Sequence, residues 1–286
     1  MASMRDIKGR IRSVTTTKKT TKAMNLVSSS KLVRAKAKLA SGNPFFENMR
    51  RVIGNIMVNS AMVDFAMFKA RPVKRSMVIV IANDRGLCGG YNANICKHAM
   101  NLIQSLTGEV SVYAIGNKSR DFFRRVNMDI MEFKNGISEN PFYEDAQAIC
   151  AKAMSLYSAG EVDEVYICYT QFISAINYVP SNMKLLPLNP KDFLEEGGKL
   201  SSAMRYEPSD AEVLSYIVPK YISTMIFAGL STSAASGQAA TMTAMDSATE
   251  NAESIIDNLT LMYNRARQSA ITQEISEIVG GANALE

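Results

Sequence analysis

Histidine occurs once in these 286 residues, as His98. That scarcity removes most general acid–base schemes and most zinc-type ligand sets, which lean on imidazole. The carboxylates form no paired motif and there is no GxSxG nucleophile elbow, so no catalytic residue, metal ligand or cofactor site is assigned. Cysteine is sparse as well. Cys88, Cys96, Cys150 and Cys168 show no CxxC spacing, which fits a reduced intracellular compartment better than disulfides or zinc. Long apolar runs are missing: the longest, residues 77–82, falls far short of the ~20 residues a membrane helix needs, so no membrane insertion is expected. The opening MASMRDIKGR lacks the apolar stretch of a secretory signal and continues into a patterned helix. Aromatic residues are absent before Phe45.

Charge is present in quantity, and it is segregated. Residues 1–60 hold 13 Lys/Arg against Asp6 and Glu47, whereas residues 209–286 hold Lys220, Arg265 and Arg267 against nine Asp/Glu. Both ends are helix-prone and of opposite sign, and they are expected to pair. Near the C-terminus Met245, Ala248, Ala252, Ile255, Leu259, Met262, Ala266 and Ser269 follow alternating steps of three and four, the seam of a left-handed coiled coil. Pro208, Ser209 and Glu212 mark the start of this helix as a capping box, and 70-odd residues at ~1.5 Å each predict a rod of roughly 110 Å. The small residues of 229–244 (GLSTSAASGQAATMTA) suit close packing. In the first segment Ile7, Ile11 and Val14 begin a seam that Leu32, Ala35 and Leu39 resume. The intervening TTTKKTTK is a poor helix former whose helicity packing must impose. The basic face reads in two ways: a phosphate-binding surface for nucleic acid, or a solvated face complementing the acidic helix and acidic partners. The lack of stacking aromatics favours the second.

From Arg75 the period becomes strand-like. Residues 77–82 (MVIVIA) form a run typical of a strand buried on both faces. Strands at 110–115, 128–133 and 162–170 alternate with helices at 92–106, 118–126 and 143–157, which predicts a mostly parallel sheet flanked by helices. A hairpin of strands 173–179 and 183–188 turning at Pro180-Ser181-Asn182 closes it. The expected fold class is α/β: a central Rossmann-like domain (75–208) between two helices (1–74 and 209–286) that form a long antiparallel coiled coil. The turn Asn83 to Asn92 follows the first strand, where such sheets bind ligands. It lacks GxGxxG and P-loop spacing, so a tight glycine turn is favoured over a phosphate cradle. Cys88 reads as a turn cysteine, with an exposed reactive thiol near Arg85 as the alternative.

Three stretches carry a resemblance. MRDIKGRIRSVTTTKKTTKAMNLVSSSKL contains the pattern IxSVxxTxKxTKAM; DRGLCGGYN follows MVIVIAN; and AMDSATENAESIIDNLTLMYNRARQSAITQEISEIVGGANAL carries Ile271-Thr272, Glu274, Glu277, Gly281-Ala282 and Ala284 at diagnostic positions. Together, in this order, they resemble the gamma subunit of F-type ATP synthase along nearly the whole chain. The resemblance implies a non-catalytic rotor shaft. One copy would sit in a ring of three alpha and three beta subunits, with epsilon and the c-ring below, turning ion-driven c-ring rotation into sequential changes at the beta active sites. It further implies beta contacts through Lys22, Met24, Arg85, Cys88, Arg267 and Gln268, and contacts to the c-ring and epsilon through Tyr206, Glu207 and Pro208. An apolar sleeve would surround Ile271, Thr272, Ile275, Ile278, Val279 and Leu285. The implied place is the cytoplasmic face of a bacterial membrane, as a peripheral protein, with no nucleic acid partner. A nucleic-acid-binding coiled coil and a nucleotide-binding enzyme are the competing readings, and the resemblance predicts neither.

Overall fold

The computed structural model describes residues 4–59, 66–189, 193, 207 and 209–283. Tyr206, Pro208 and Leu285, implied above as contact residues, lie outside them. Helix α1 (Met4–Asn59) is followed by β1 (Arg75–Ile81), α2 (Tyr91–Ser105), β2 (Glu109–Ile115), α3 (Asn117–Arg125), β3 (Ile130–Lys134), α4 (Tyr143–Ser158), β4 (Glu164–Phe172), β5 (Tyr178–Leu186) and α5 (Asp210–Asn283). The chain divides into two compact units, residues 29–240 and residues 1–28 with 241–286.

In the larger unit the five strands lie in the order β3-β2-β1-β4-β5, the first four parallel and β5 antiparallel to β4. The predicted Rossmann-like sheet is therefore present. Alternation along β1 shows why MVIVIA makes its centre. Met77, Ile79 and Ile81 face a core shared with α4, α5 and Met49, Ile53 and Ile56 of α1; Val78, Val80 and Ala82 face Ile95 and Ala99 of α2 and Phe123 of α3. Each fully buried aliphatic chain contributes about 1.5–3 kcal/mol by leaving water. The apolar part of α5 is long enough to cross a bilayer by composition, yet 56 % of that window is buried within the protein itself.

The hairpin departs from expectation. Its turn is residues 173–177, closed by the N–H groups of Ile173 and Ser174 on the Asn177 carbonyl, with Ser174 Oγ accepting from the N–H of Ile176 and Asn177. Pro180 lies inside β5, opposite Thr170. Proline signalled a turn in the sequence, but β5 is an edge strand, where a missing ladder donor is tolerated. The start of α5 agrees with its cap: Ser209 Oγ accepts from the Glu212 N–H at 3.3 Å.

Below the sheet, Asp163 ties the entry to β1. Its Oδ2 accepts from the N–H groups of Lys74 (2.8 Å) and Arg75 (3.0 Å), and Oδ1 meets Arg71 Nε at 2.7 Å. These contacts, the backbone donors first, hold its carboxyl below the usual carboxylate range. A folded-state value below the unfolded ~3.9 stabilises the fold above that pH, and the stability is lost as pH falls through the folded value. Asp163→Asn is expected to lower stability at neutral pH and flatten the acid limb. Acid-unfolding titrations of both proteins check this, and identical acid limbs would contradict it.

In the smaller unit α1 and α5 run antiparallel. Lys18 Nζ meets Glu253 Oε1 at 2.7 Å, Thr21 and Thr249 share a hydrogen bond of 2.7 Å, and Asn25 Nδ2 donates to the Met242 carbonyl at 3.0 Å. The α1 seam is Ile7, Ile11, Val14, Lys18, Thr21, Asn25 and Ser28, all buried or half-buried in unbroken steps of four and three. The polar stretch does not interrupt the seam; it supplies two of its positions, Lys18 and Thr21. On α5 the seam is Met245, Thr249, Ala252, Ile256, Leu259, Tyr263 and Ala266. The predicted Ile255 and Met262 are instead 48 % and 57 % exposed, and Ser269 is exposed. Each of the two stands beside a second bulky residue, and choosing the wrong one of the pair rotates the assumed face by about 100°.

Candidate functional site

The turn after β1 is held by its own side chains. Asn92 Oδ1 accepts from the Asn83 N–H, while Nδ2 donates to the Arg85 carbonyl and reaches Cys88 Sγ at 3.0 Å. Gly89 takes φ +56 and Leu87 φ +64, the latter a left-handed conformation uncommon outside glycine. Leu87 is 63 % exposed, so this strained turn displays an apolar side chain that the sequence reading passed over. Asp84 lies at the centre of the strand ends. Its Oδ1 accepts from the Asn117 N–H that opens α3, and its Oδ2 from the Gly136 N–H and Ser138 Oγ.

That arrangement overturns the phosphate-cradle alternative. In a doubly wound sheet the ligand crevice lies where strand order reverses, here between β1 and β4, with helix N-termini supplying donors to anions. The N-terminus of α3 already holds a carboxylate, that of Asp84. The crevice is filled by α5. Gly237 packs so closely on Asn83 that a Cβ would stand 2.7 Å from its Oδ1. Tyr91 Oη donates to the Ser233 carbonyl at 2.9 Å. Beyond the last β1 partner, Cys168, the N–H of Thr170 goes to Ser233 Oγ, its carbonyl accepts from Ser236 Oγ, and the N–H of Phe172 goes to Thr232 Oγ1. Three hydroxyls of GLSTSAASG, those of Thr232, Ser233 and Ser236, are thus partners for strand groups that outrun their neighbour. Among the described residues no cluster of His, Cys, Asp or Glu could hold a metal ion.

Cys88 needs correction. Its side chain is 2 % exposed, packed with Tyr91 and Ala240, and burial pushes its thiol up. The reactive alternative fails, and Cys88 offers no side-chain surface to a partner. Arg85 and Leu87 do, with the Arg85 side chain 84 % exposed.

The basic face divides in two. In the larger unit Lys31 pairs with Glu139 at 2.7 Å, Lys36 lies over Phe172, and Lys38 donates to the Pro141 carbonyl and sits over Phe142 and Phe227. These cations are engaged by groups of the protein itself. In the smaller unit Lys18 is bound to Glu253, whose carboxyl it holds down, while Arg5, Lys8, Arg10, Arg12, Lys19 and Lys22 are exposed and Met24 is half-buried. Arg267 and Gln268 are exposed on α5. Farther along α5 comes its C-terminal stretch. There Ile271, Ile275, Ile278 and Val279 are 47–67 % exposed, with Thr272 exposed between them. Glu207 is exposed before α5.

A family model described as ATP synthase matches residues 3–285. The chain is 48 % identical over 286 residues to the ATP synthase gamma chain of Alkaliphilus metalliredigens, covering 99 % of both. It is 43 % identical over 287 residues to that of Desulfitobacterium hafniense, covering both completely. Among solved structures it resembles a chain of the rotor of the Euglena gracilis mitochondrial ATP synthase, with TM-score 0.66 and 14 % identity over 94 % of this chain and 98 % of that one. It also resembles a chain of the central stalk and c-ring of the Tetrahymena thermophila enzyme, with TM-score 0.61 and 24 % identity over 80 % and 98 %. At these identities the structures speak for the fold.

Proposed function

The chain belongs to the family of ATP synthase gamma chains, and on that footing we propose that it turns as the central rotor shaft of such a synthase. The observation that carries this reading is the row of exposed isoleucines along residues 271–279 of α5. An apolar row of this kind needs a sleeve. A ring of three alpha and three beta subunits supplies it, with one copy of this chain per ring.

The shaft itself is non-catalytic. Three equal sites respond differently to one shaft only if it touches each differently, because a conformational change needs differential interaction energy. The exposed cations of α1, Lys22 among them, suit acidic loops on beta. Charge acts at range and with loose direction, so it tolerates rotation. Arg267 and Gln268 form the catch, where a guanidinium can bind a carboxylate in two-pronged fashion at one angle and release it at the next. Arg85 and Leu87 meet the foot of a beta subunit. Residues 206–208 face epsilon and the c-ring, which turns with ion flow. The chain itself is peripheral, on the cytoplasmic face of a bacterial membrane.

Co-expression with alpha and beta subunits tests the proposal. An active ATPase holding one copy of this chain per three beta subunits is the expected product; a chain that stays free of the ring would sink it. Within the assembled synthase, Arg267→Ala with Gln268→Ala is expected to lower coupled ATP synthesis by about tenfold or more, the worth of a charge-assisted hydrogen bond of ~1.5–3 kcal/mol, without reducing assembly. Undiminished synthesis would remove the catch role.

A further inference from the structure

Torque must pass from the sheet to a helix, and two helices leave the larger unit. We propose that α5 is the torque-bearing one and that Tyr91, Thr232, Ser233 and Ser236 are its positioning residues, a key that stops α5 from turning or sliding in the crevice of the sheet. This inference rests on the rotor reading above.

The geometry separates the two helices. α1 packs Met49, Ile53 and Ile56 into the shared core, but the polar links that would resist its turning run through long side chains: Lys31 to Glu139, with both side chains about one-third to one-half exposed, and Lys38 to the 140–141 loop. Such contacts are screened and stretch easily, because each partner swings on several rotatable bonds. α5 is joined through short hydroxyls bonded directly to strand backbone. Ser233 is gripped twice, its Oγ by the Thr170 N–H at 3.0 Å and its carbonyl by Tyr91 Oη at 2.9 Å. Ser236 Oγ reaches the Thr170 carbonyl at 3.1 Å, and Thr232 Oγ1 takes the Phe172 N–H at 2.8 Å. Ser233, Ser236 and Tyr91 are buried, so water cannot replace a bond that breaks.

Steric contact completes the key. Gly237 lies against Asn83 and Gly229 against Ile167, each so near that an added methyl would press on its neighbour. With backbone this close on two sides, rotation of α5 drives it into β1 and β4. The same helix continues from Ser236 to Asn283, so a twist applied at the key travels along an unbroken ladder of backbone hydrogen bonds.

The test uses the complete synthase reconstituted in vesicles, with ATP-driven ion pumping measured against a rising ion gradient. Tyr91→Phe and the pair Ser233→Ala with Ser236→Ala remove the key; Lys31→Ala with Lys38→Ala loosens α1 as the comparison. The key variants are expected to hydrolyse ATP normally and to pump normally without a gradient, then to stall at a smaller gradient than the parent. Hydrolysis without pumping should rise roughly tenfold per lost bond. A role in folding alone would change yield or melting temperature and leave the stall point of assembled complexes unmoved. Should the serine pair fail to assemble, Tyr91→Phe decides, since it removes one hydroxyl and keeps the ring. Parental stall points in the key variants, or an equal fall in the α1 variant, overturn the inference. A parent chain that assembles but never pumps would instead strike at the rotor reading.

Discussion

Leu259→Pro should abolish assembly of this chain with its ring, while deletion of residues 271–286 should leave assembly largely intact. Leu259 is half-buried at the seam of α5, seven residues from Ala252 and from Ala266. Proline there removes one backbone donor and drives its ring into the carbonyl four residues earlier, a cost of ~3 kcal/mol or more. The kink would also carry Tyr263 and Ala266 off the α1 seam. Residues 271–279 are exposed throughout, so their loss removes little that holds the chain itself together. Complex yield and thermal melting of both variants give the comparison. Equal loss of assembly would contradict the account of the tip as a bearing surface.

A second large effect is expected from a methyl group. Gly116 joins β2 to α3 with φ +86 and ψ 147, a region open essentially to glycine alone. A Cβ there would stand 2.1 Å from the Ala82 carbonyl oxygen, where β1 ends. Its neighbours are committed: Gly116 donates to the Lys134 carbonyl, and Lys118 donates to the Asn83 carbonyl. Neither strand end can withdraw without breaking these bonds. Gly116→Ala is therefore expected to destabilise the protein by about 3 kcal/mol or more, backbone strain and overpacking together. Gly136→Ala separates the two contributions. Gly136 has φ +79 with nothing within 4 Å of an added Cβ, so only the strain of about 1 kcal/mol should appear. Denaturant midpoints of the two variants measure the difference, and equal shifts would refute the steric part.

The parallel sheet was legible because its strands are continuous β-branched runs separated by helical periods, a signal that needs no tertiary information. The register of the α5 seam was not. Ile255-Ile256 and Met262-Tyr263 offer two bulky residues at each crossing, and only the partner helix decides between them. The α1 seam was hidden for the opposite reason, since Lys18, Thr21 and Asn25 carry no hydrophobic signal yet are accepted where Glu253, Thr249 and the Met242 carbonyl receive them. Pro180 misled because an edge strand reads like a turn from composition alone. The serines after Gly229 looked like packing material for a seam. The hydroxyls of Ser233 and Ser236 serve unpaired groups of β4, a role that appears only when the strand outruns β1. The role of Asp84 was hidden too, because its partners come from residues 117, 136 and 138, too distant in sequence to suggest themselves.

Burial of all four cysteines has a practical consequence. Desolvation pushes Cys96 and Cys168 up to about 12 and raises Cys88 and Cys150, so almost none of their sulfur is thiolate near neutral pH. Thiolate is the form that alkylating dyes attack. A single cysteine introduced at an exposed position such as Lys97 should accordingly take up a maleimide fluorophore by itself in the native protein. The native thiols then need no replacement, and a probe of angular position can be attached to an otherwise unaltered chain.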